Sequence, residues 1–146
     1  MIKIRTGVFE TNSSSCHSIS ISQGDYTSIA PDSSGVIQIP ASDFGWEQET
    51  YTDPESKISY LMIYLRDWVE DNFKKELWIS LLESVVLEHC HATQLVFEDG
   101  EEHGDGYIDH ESVEGEKLNW IFSSADQIKN FVFSRNSVLE TDNDNH

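Results

Sequence analysis

Positive charge is what this chain of 146 residues has least of: 9 Lys and Arg stand against 27 Asp and Glu, a formal net charge of -18. So negative a surface repels phosphate backbones and anionic headgroups, which excludes sequence-independent nucleic-acid binding and charge-driven attachment to a membrane. The deficit is uneven. Residues 1–40 set Lys3 and Arg5 against Glu10, Asp25 and Asp32, so nearly all the excess acid lies in residues 41–146. Cysteine is also scarce. Cys16 and Cys90 are the only two, which excludes a disulfide scaffold and leaves two free thiols expected in a cytosolic chain. No apolar run approaches the roughly 18 residues of a membrane span. Met1-Ile2-Lys3-Ile4-Arg5 lacks the apolar core of a signal peptide, so the expected location is the cytoplasm. Glycine-rich nucleotide loops of the Walker or Rossmann type are missing as well, and no internal repeat is visible.

What is present suits a packed domain. The chain is 38% hydrophobic and holds 4 Trp, 5 Tyr and 7 Phe, too much apolar surface for a disordered polymer. Its length supports one core without staples. We expect a single domain over residues 1–146, with any disorder confined to the last few.

Ile2 and Ile4 alternate with Lys3 and Arg5 as a strand bulged at Gly7, and Ile19 to Ser22 alternates again as a second strand. Residues 23–35 carry turn chemistry; Val36 to Ile39 is a short strand ended by Pro40, and residues 41–53 read as loop. Asp53 and Pro54 are suited to open a helix whose stripe runs Ile58, Leu61, Met62, Leu65, Trp68, Val69 and Phe73. A second stripe through Leu77, Trp78, Leu81, Leu82, Val85 and Val86 ends near His89-Cys90-His91. Both stripes read as core, on a tight helical hairpin or one kinked helix. Gln94 to Phe97 reads as a strand, Tyr107-Ile108 as extended, Leu118 to Phe122 as a further strand, and Ser124 with Gln127 as the start of a third helix. The order predicts an α+β fold: a mainly antiparallel sheet with about three helices packed on one face.

Three polar stretches stand apart from this frame. In Thr11-Asn12-Ser13-Ser14-Ser15-Cys16-His17-Ser18, small hydroxyls and exposed N–H groups would cradle a phosphate or carboxylate, with His17 adding a proton donor. The same loop reads equally as a serine-rich turn whose hydroxyls satisfy its own backbone. In Asp109-His110-Glu111-Ser112, flanking carboxylates raise a histidine's pKa and prepare it for acid–base work; as solvated residues after a strand these need no such role. His89-Cys90-His91 is a poor zinc site, because consecutive helical residues face different ways. Residues 98–105 and Asp142-Asn143-Asp144 offer oxygen ligands without the calcium-loop pattern, sufficient at most for a weak divalent cation site. No cofactor is expected.

Gly7-Val8-Phe9-Glu10-Thr11-Asn12-Ser13-Ser14-Ser15-Cys16-His17-Ser18 resembles the opening of a family of small phage and prophage proteins, in which threonine commonly stands where this chain has Cys16. Gly106-Tyr107-Ile108-Asp109-His110-Glu111-Ser112 is similar to their middle motif. Asn130 to Ser137, with Glu140 to Asp144, is similar to their closing one, although Asp142 replaces a common glycine. The resemblance implies a phage context and a cytoplasmic setting in the bacterial host. It also suggests that three motifs separated by apolar segments form one composite site of Asn12, Ser13, Ser14, Ser15, His17, Asp109, His110, Ser112, Asn136 and Asp142. In that site His17 and His110, aided by Asp109, would be acid and base, and the serine loop would hold an anionic ligand such as a nucleotide or phosphorylated small molecule. The other reading is a non-enzymatic acidic inhibitor of a host or defence protein, acting as a nucleic-acid mimic through Glu98 to Glu116, a stretch of nine acids with no Lys or Arg. Neither reading fixes an oligomeric state.

Overall fold

A computed structural model describes residues 17–45, 48–98, 107–108 and 115–141. Along them run β1 (Ser18–Ser20), β2 (Val36–Pro40), β3 (Asp43–Phe44), β4 (Glu49–Tyr51), α1 (Pro54–Trp68), α2 (Asn72–Cys90), β5 (Gln94–Glu98), β6 (Tyr107–Ile108), α3 (Gly115–Ile121), α4 (Ala125–Phe133) and β7 (Val138–Thr141). The class is α+β, with four helices among the described residues where about three were expected. The expected strand over residues 2–9 lies outside the described residues.

Helix α1 is the centre of the packing. Asp53 caps it, its Oδ2 accepting from Ser56 N at 2.9 Å, and Pro54 occupies the first turn. From Lys57 to Leu65 every residue is buried except Met62, which is half-buried. A helix covered on all sides has neighbours on all sides, and α1 packs against α2, α4, β2 and β6. Val69 ends it by turning extended (φ -94, ψ 111). Asp71 then starts α2, its carboxylate accepting from Phe73 N at 3.0 Å and Lys74 N at 3.2 Å.

The pair is therefore two capped helices rather than one kinked rod, and the break resets the phase of the apolar pattern. Trp68, Phe73 and Leu77, expected in the core, are 37%, 79% and 54% exposed. The far end of α2 falls where expected, at Cys90, with His91 in the left-handed region (φ 56, ψ 44) and its N–H donating to Leu87 O.

The expected strand over Leu118–Phe122 is instead the last turn of α3, to Ile121, with Phe122 in the turn that follows. Leu118, Ile121 and Phe122 are buried while Asn119 and Trp120 are exposed, the i, i+3, i+4 pattern of a helix that a short apolar run conceals. Ser124 caps α4, accepting from Gln127 N at 3.1 Å. Residues 41–53, expected as loop, contribute β3 and β4.

The strands form one antiparallel sheet of order β1-β7-β4 and two parallel pairs, β2 with β5 and β3 with β6. The antiparallel expectation thus describes the three-stranded sheet, and the helical crossovers between β2 and β5 permit the parallel pairing. β7 is the central strand of its sheet, facing β1 through Ser18↔Glu140 to Ser20↔Val138 and β4 through Glu49↔Thr141 to Tyr51↔Leu139. Ile19, Ile37, Phe44, Leu61, Val86, Phe131 and Leu139 belong to one continuous core that joins sheets and helices.

Candidate functional site

His17 lies immediately before β1, and the register that pairs Ser18 with Glu140 carries it opposite Thr141. Both residues are fully buried. His17 Nδ1 lies 2.9 Å from the Tyr60 hydroxyl, whereas His17 Nε2 is buried without a hydrogen-bond partner among the described residues. Burial pushes the imidazole pKa down from 6.5 to about 4, so the ring is neutral at physiological pH. A neutral ring that accepts from Tyr60 at Nδ1 carries its proton on Nε2 and offers an N–H donor there.

The surroundings of this histidine are aromatic. Tyr60 packs edge-on to Phe44 at 5.1 Å, and Phe44 meets Tyr51 in the same manner at 5.3 Å. The Tyr51 hydroxyl is pushed well above its ordinary range, first by burial and then by hydrogen bonding and charge from Glu49. Phe44 is paired in register with Ile108, the residue that precedes Asp109-His110. Thr141, whose Oγ1 donates to Glu49 O at 3.5 Å, precedes Asp142. The described residues at the edges of all three motifs, His17, Ile108 and Thr141, are thereby tied to Tyr60, Phe44 and the Glu49–Tyr51 strand. Asn12, Ser13, Ser14, Ser15, Asp109, His110, Ser112 and Asp142 lie outside the described residues.

Asn136 is not brought to this cluster. It follows the same register to a place beside Ser22, whose Oγ donates to Asn136 O at 3.2 Å. That is five residues along the strand from His17, a separation of about 17 Å at the usual strand rise. Asn136 is exposed, and its amide donates to Asp25 Oδ2 at 3.4 Å.

Other described residues of the closing motif are held by hydrogen bonds within the fold. Ser137 Oγ donates to Asn130 O at 2.7 Å and accepts from Ser22 N at 2.8 Å. Asn130 Oδ1 accepts from the Tyr26 hydroxyl at 2.6 Å, and Phe133 O accepts from Thr27 N at 2.7 Å.

Lys57, not singled out from the sequence, is fully buried. Its Nζ donates to Ser134 O at 3.1 Å and sits 5.6 Å from the Phe131 ring centroid. Burial lowers its pKa from 10.5 to about 8, against an opposing pull from Asp53. The available signal was position: Lys57 precedes Leu61 by one helical turn and so lies on the α1 stripe.

A separate cleft of about 490 Å³ opens between the C-terminal end of α2 and the start of α4, lined by residues that include Glu88, His89, His91, Asp126 and Lys129. Of the expected site residues that are described, His17 and Asn136, neither lines it. His89 Nε2 donates to Thr27 O at 2.7 Å, and buried Cys90 Sγ accepts from Ile29 N at 3.5 Å, so these neighbours face different partners. Among the described residues no group of three or more His, Cys, Asp or Glu is placed to hold a metal. Among the same residues no helix is long and apolar enough to cross a membrane.

Compared with family models, with curated proteins and with solved structures, the chain gave no match.

Proposed function

We propose that the chain is a phage-encoded accessory protein of the host cytoplasm whose N-terminal serine loop and Asp109-His110-x-Ser112 segment share a pocket for an anionic ligand, a nucleotide or other phosphorylated small molecule. One observation carries the reading: His17 Nε2 is buried and has no hydrogen-bond partner among the described residues, at the end of the sheet to which the edges of all three motifs are tied. A buried polar nitrogen left unpaired costs stability, and an oxygen of a bound anion is the acceptor that an N–H there requires. In this pocket neutral His17 donates and orients, while His110, flanked by Asp109 and Glu111, supplies the proton if the ligand is turned over. Asn136 is left out, because it sits by Ser22 at the other end of β7.

Titration calorimetry with ATP, AMP and inorganic phosphate tests this, using wild type, His17→Gln and His110→Ala. Binding of at least one phosphorylated ligand is expected, weakened roughly tenfold or more by either substitution, with His110→Ala melting as wild type does. If no phosphorylated ligand binds wild type, or if both variants only melt earlier with unchanged binding, the proposal fails.

A further inference from the structure

The Tyr60 side chain is fully buried in the middle of α1, and ring packing sets its place. Phe44 of β3 meets it edge-on at 5.1 Å and 85°, and the His17 ring lies 5.8 Å away at a tilt of 52°. A packed side chain on a buried helix has little rotamer freedom, so its hydroxyl is delivered to His17 Nδ1 at a fixed point. The separation of 2.9 Å is that of a full hydrogen bond.

Such a bond decides more than orientation. In a neutral imidazole one nitrogen carries the proton and the other a lone pair, and the group that binds one nitrogen fixes the state of the other. Burial keeps His17 neutral at physiological pH. Two arrangements then satisfy the contact. The phenol donates to an Nδ1 lone pair and leaves the proton on Nε2, or it accepts from an Nδ1 proton and leaves Nε2 bare. The first is the stronger pairing, because a phenol O–H is the better acid and an imidazole lone pair the better base.

We infer that Tyr60 is a positioning residue that sets what the pocket accepts. By donating to Nδ1 it holds His17 as an Nε2–H donor, so the pocket takes a ligand ending in an unprotonated oxygen and rejects one ending in an ammonium. For the ligand this rests on the anion-pocket reading; for the tautomer it stands on the His17–Tyr60 contact alone. An unprotonated phosphate oxygen accepts from Nε2–H. An ammonium in its place would set donor against donor and leave both unpaired away from water. Selection by proton and lone pair needs no counter-charge, which suits a neutral ring.

Long-range proton–nitrogen correlation spectra of the ligand-free full chain, with the His17 signals assigned against His17→Gln, read the tautomer directly. Wild type is expected to show a protonated Nε2 and a bare Nδ1; a protonated Nδ1 overturns the proposal without any variant having to fold. Tyr60→Phe keeps the ring against Phe44 and removes only the hydroxyl. It is expected to draw the two nitrogen signals toward each other as the tautomers mix, and to weaken inorganic phosphate by roughly threefold to tenfold. Tyr64→Phe removes a hydroxyl one turn further along α1, 3.5 Å from Asn119 Oδ1, and is expected to leave both readings at their wild-type values. Unchanged nitrogen signals in Tyr60→Phe, an equal change in Tyr64→Phe, or methylammonium that shifts the Nε2–H signal saturably would each overturn the proposal. If phosphate leaves that signal unmoved, the pocket reading fails and the selectivity with it. A protonated Nδ1 in a chain that still binds phosphate strikes the role of Tyr60 alone.

Discussion

The Tyr60 hydroxyl meets His17 Nδ1 at 2.9 Å, across a sequence separation that spans four strands and the first turns of α1. It fixes the plane of a buried imidazole whose other nitrogen has no hydrogen-bond partner among the described residues. The energetic consequence is a dependence on pH. Burial has lowered the folded-state pKa from 6.5 to about 4, so between these values the unfolded chain binds the proton more readily than the folded one. Stability from this group is complete above pH 6.5 and declines as pH falls toward 4, by about 3 kcal/mol in all. Denaturant melts of wild type and His17→Gln across this range should differ in slope, the variant lacking His17's part of the acid decline. Parallel slopes would place the titration elsewhere.

Lys57 has the same sign of dependence in another window. Its folded pKa of about 8 lies below the ordinary 10.5, so the folded chain releases the proton first and this group's contribution to stability rises with pH between those values. At pH 7 the buried ammonium is a burden, and a well-packed apolar side chain of similar length relieves it. Lys57→Met is expected to leave the melting temperature at pH 7 unchanged or raised, and to remove the alkaline gain seen relative to wild type. A loss of several degrees at pH 7 would show that the Ser134 carbonyl contact outweighs desolvation.

Two glycines with similar backbone angles should respond differently to alanine. Gly24 (φ +89) has nothing within 4 Å of an added Cβ, while at Gly35 (φ +85) that carbon would meet Thr93 Oγ1 at 2.6 Å. Gly24→Ala is expected to cost the backbone term alone, about 1 kcal/mol. Gly35→Ala should cost more, because Thr93 Oγ1 also donates to Gly35 O at 3.1 Å and must be displaced. Chemical denaturation of the two variants gives the comparison, and equal losses would refute it.

The helix caps give a check on the α1–α2 break. Asp71→Ala removes the acceptor of Phe73 N and Lys74 N and should destabilise the fold by about 1 kcal/mol, a typical value for an N-cap. Asp71→Ser, which keeps a capping oxygen, should recover most of it. A variant as stable as wild type would mean that the first turn of α2 contributes little.

How much of this was legible in the sequence depended on whether the signal was local. Asp53-Pro54 and Ser124 with Gln127 marked helix starts because capping is decided within four residues, and both caps are made as read. The α1 stripe is buried as read at Ile58, Leu61, Leu65 and Val69, while Trp68 is exposed. Beyond Val69 the reading failed at Phe73, since a break of three residues between helices leaves a run of apolar spacing apparently intact.

Leu118–Phe122 was misread because five residues cannot separate a strand from a helical turn. β7 went unrecognised: Val138 to Thr141 is short, and only its two partners reveal it as central. Among the site residues, His17 was singled out for its company of serines. Its lack of access to solvent depends on Tyr60 and Thr141, which are far away in sequence, as does the displacement of Asn136 to the other end of β7.

That central strand also bears on how the chain can be made. β1 and β4 have no contact with each other in the sheet order; each is held through β7. During synthesis both must wait while the four helices of the described residues emerge before their common partner. The helices and the parallel pairs can assemble early, but the sheet beside His17 closes last. Ribosome-bound chains halted before Val138 would therefore lack the strand that pairs both β1 and β4.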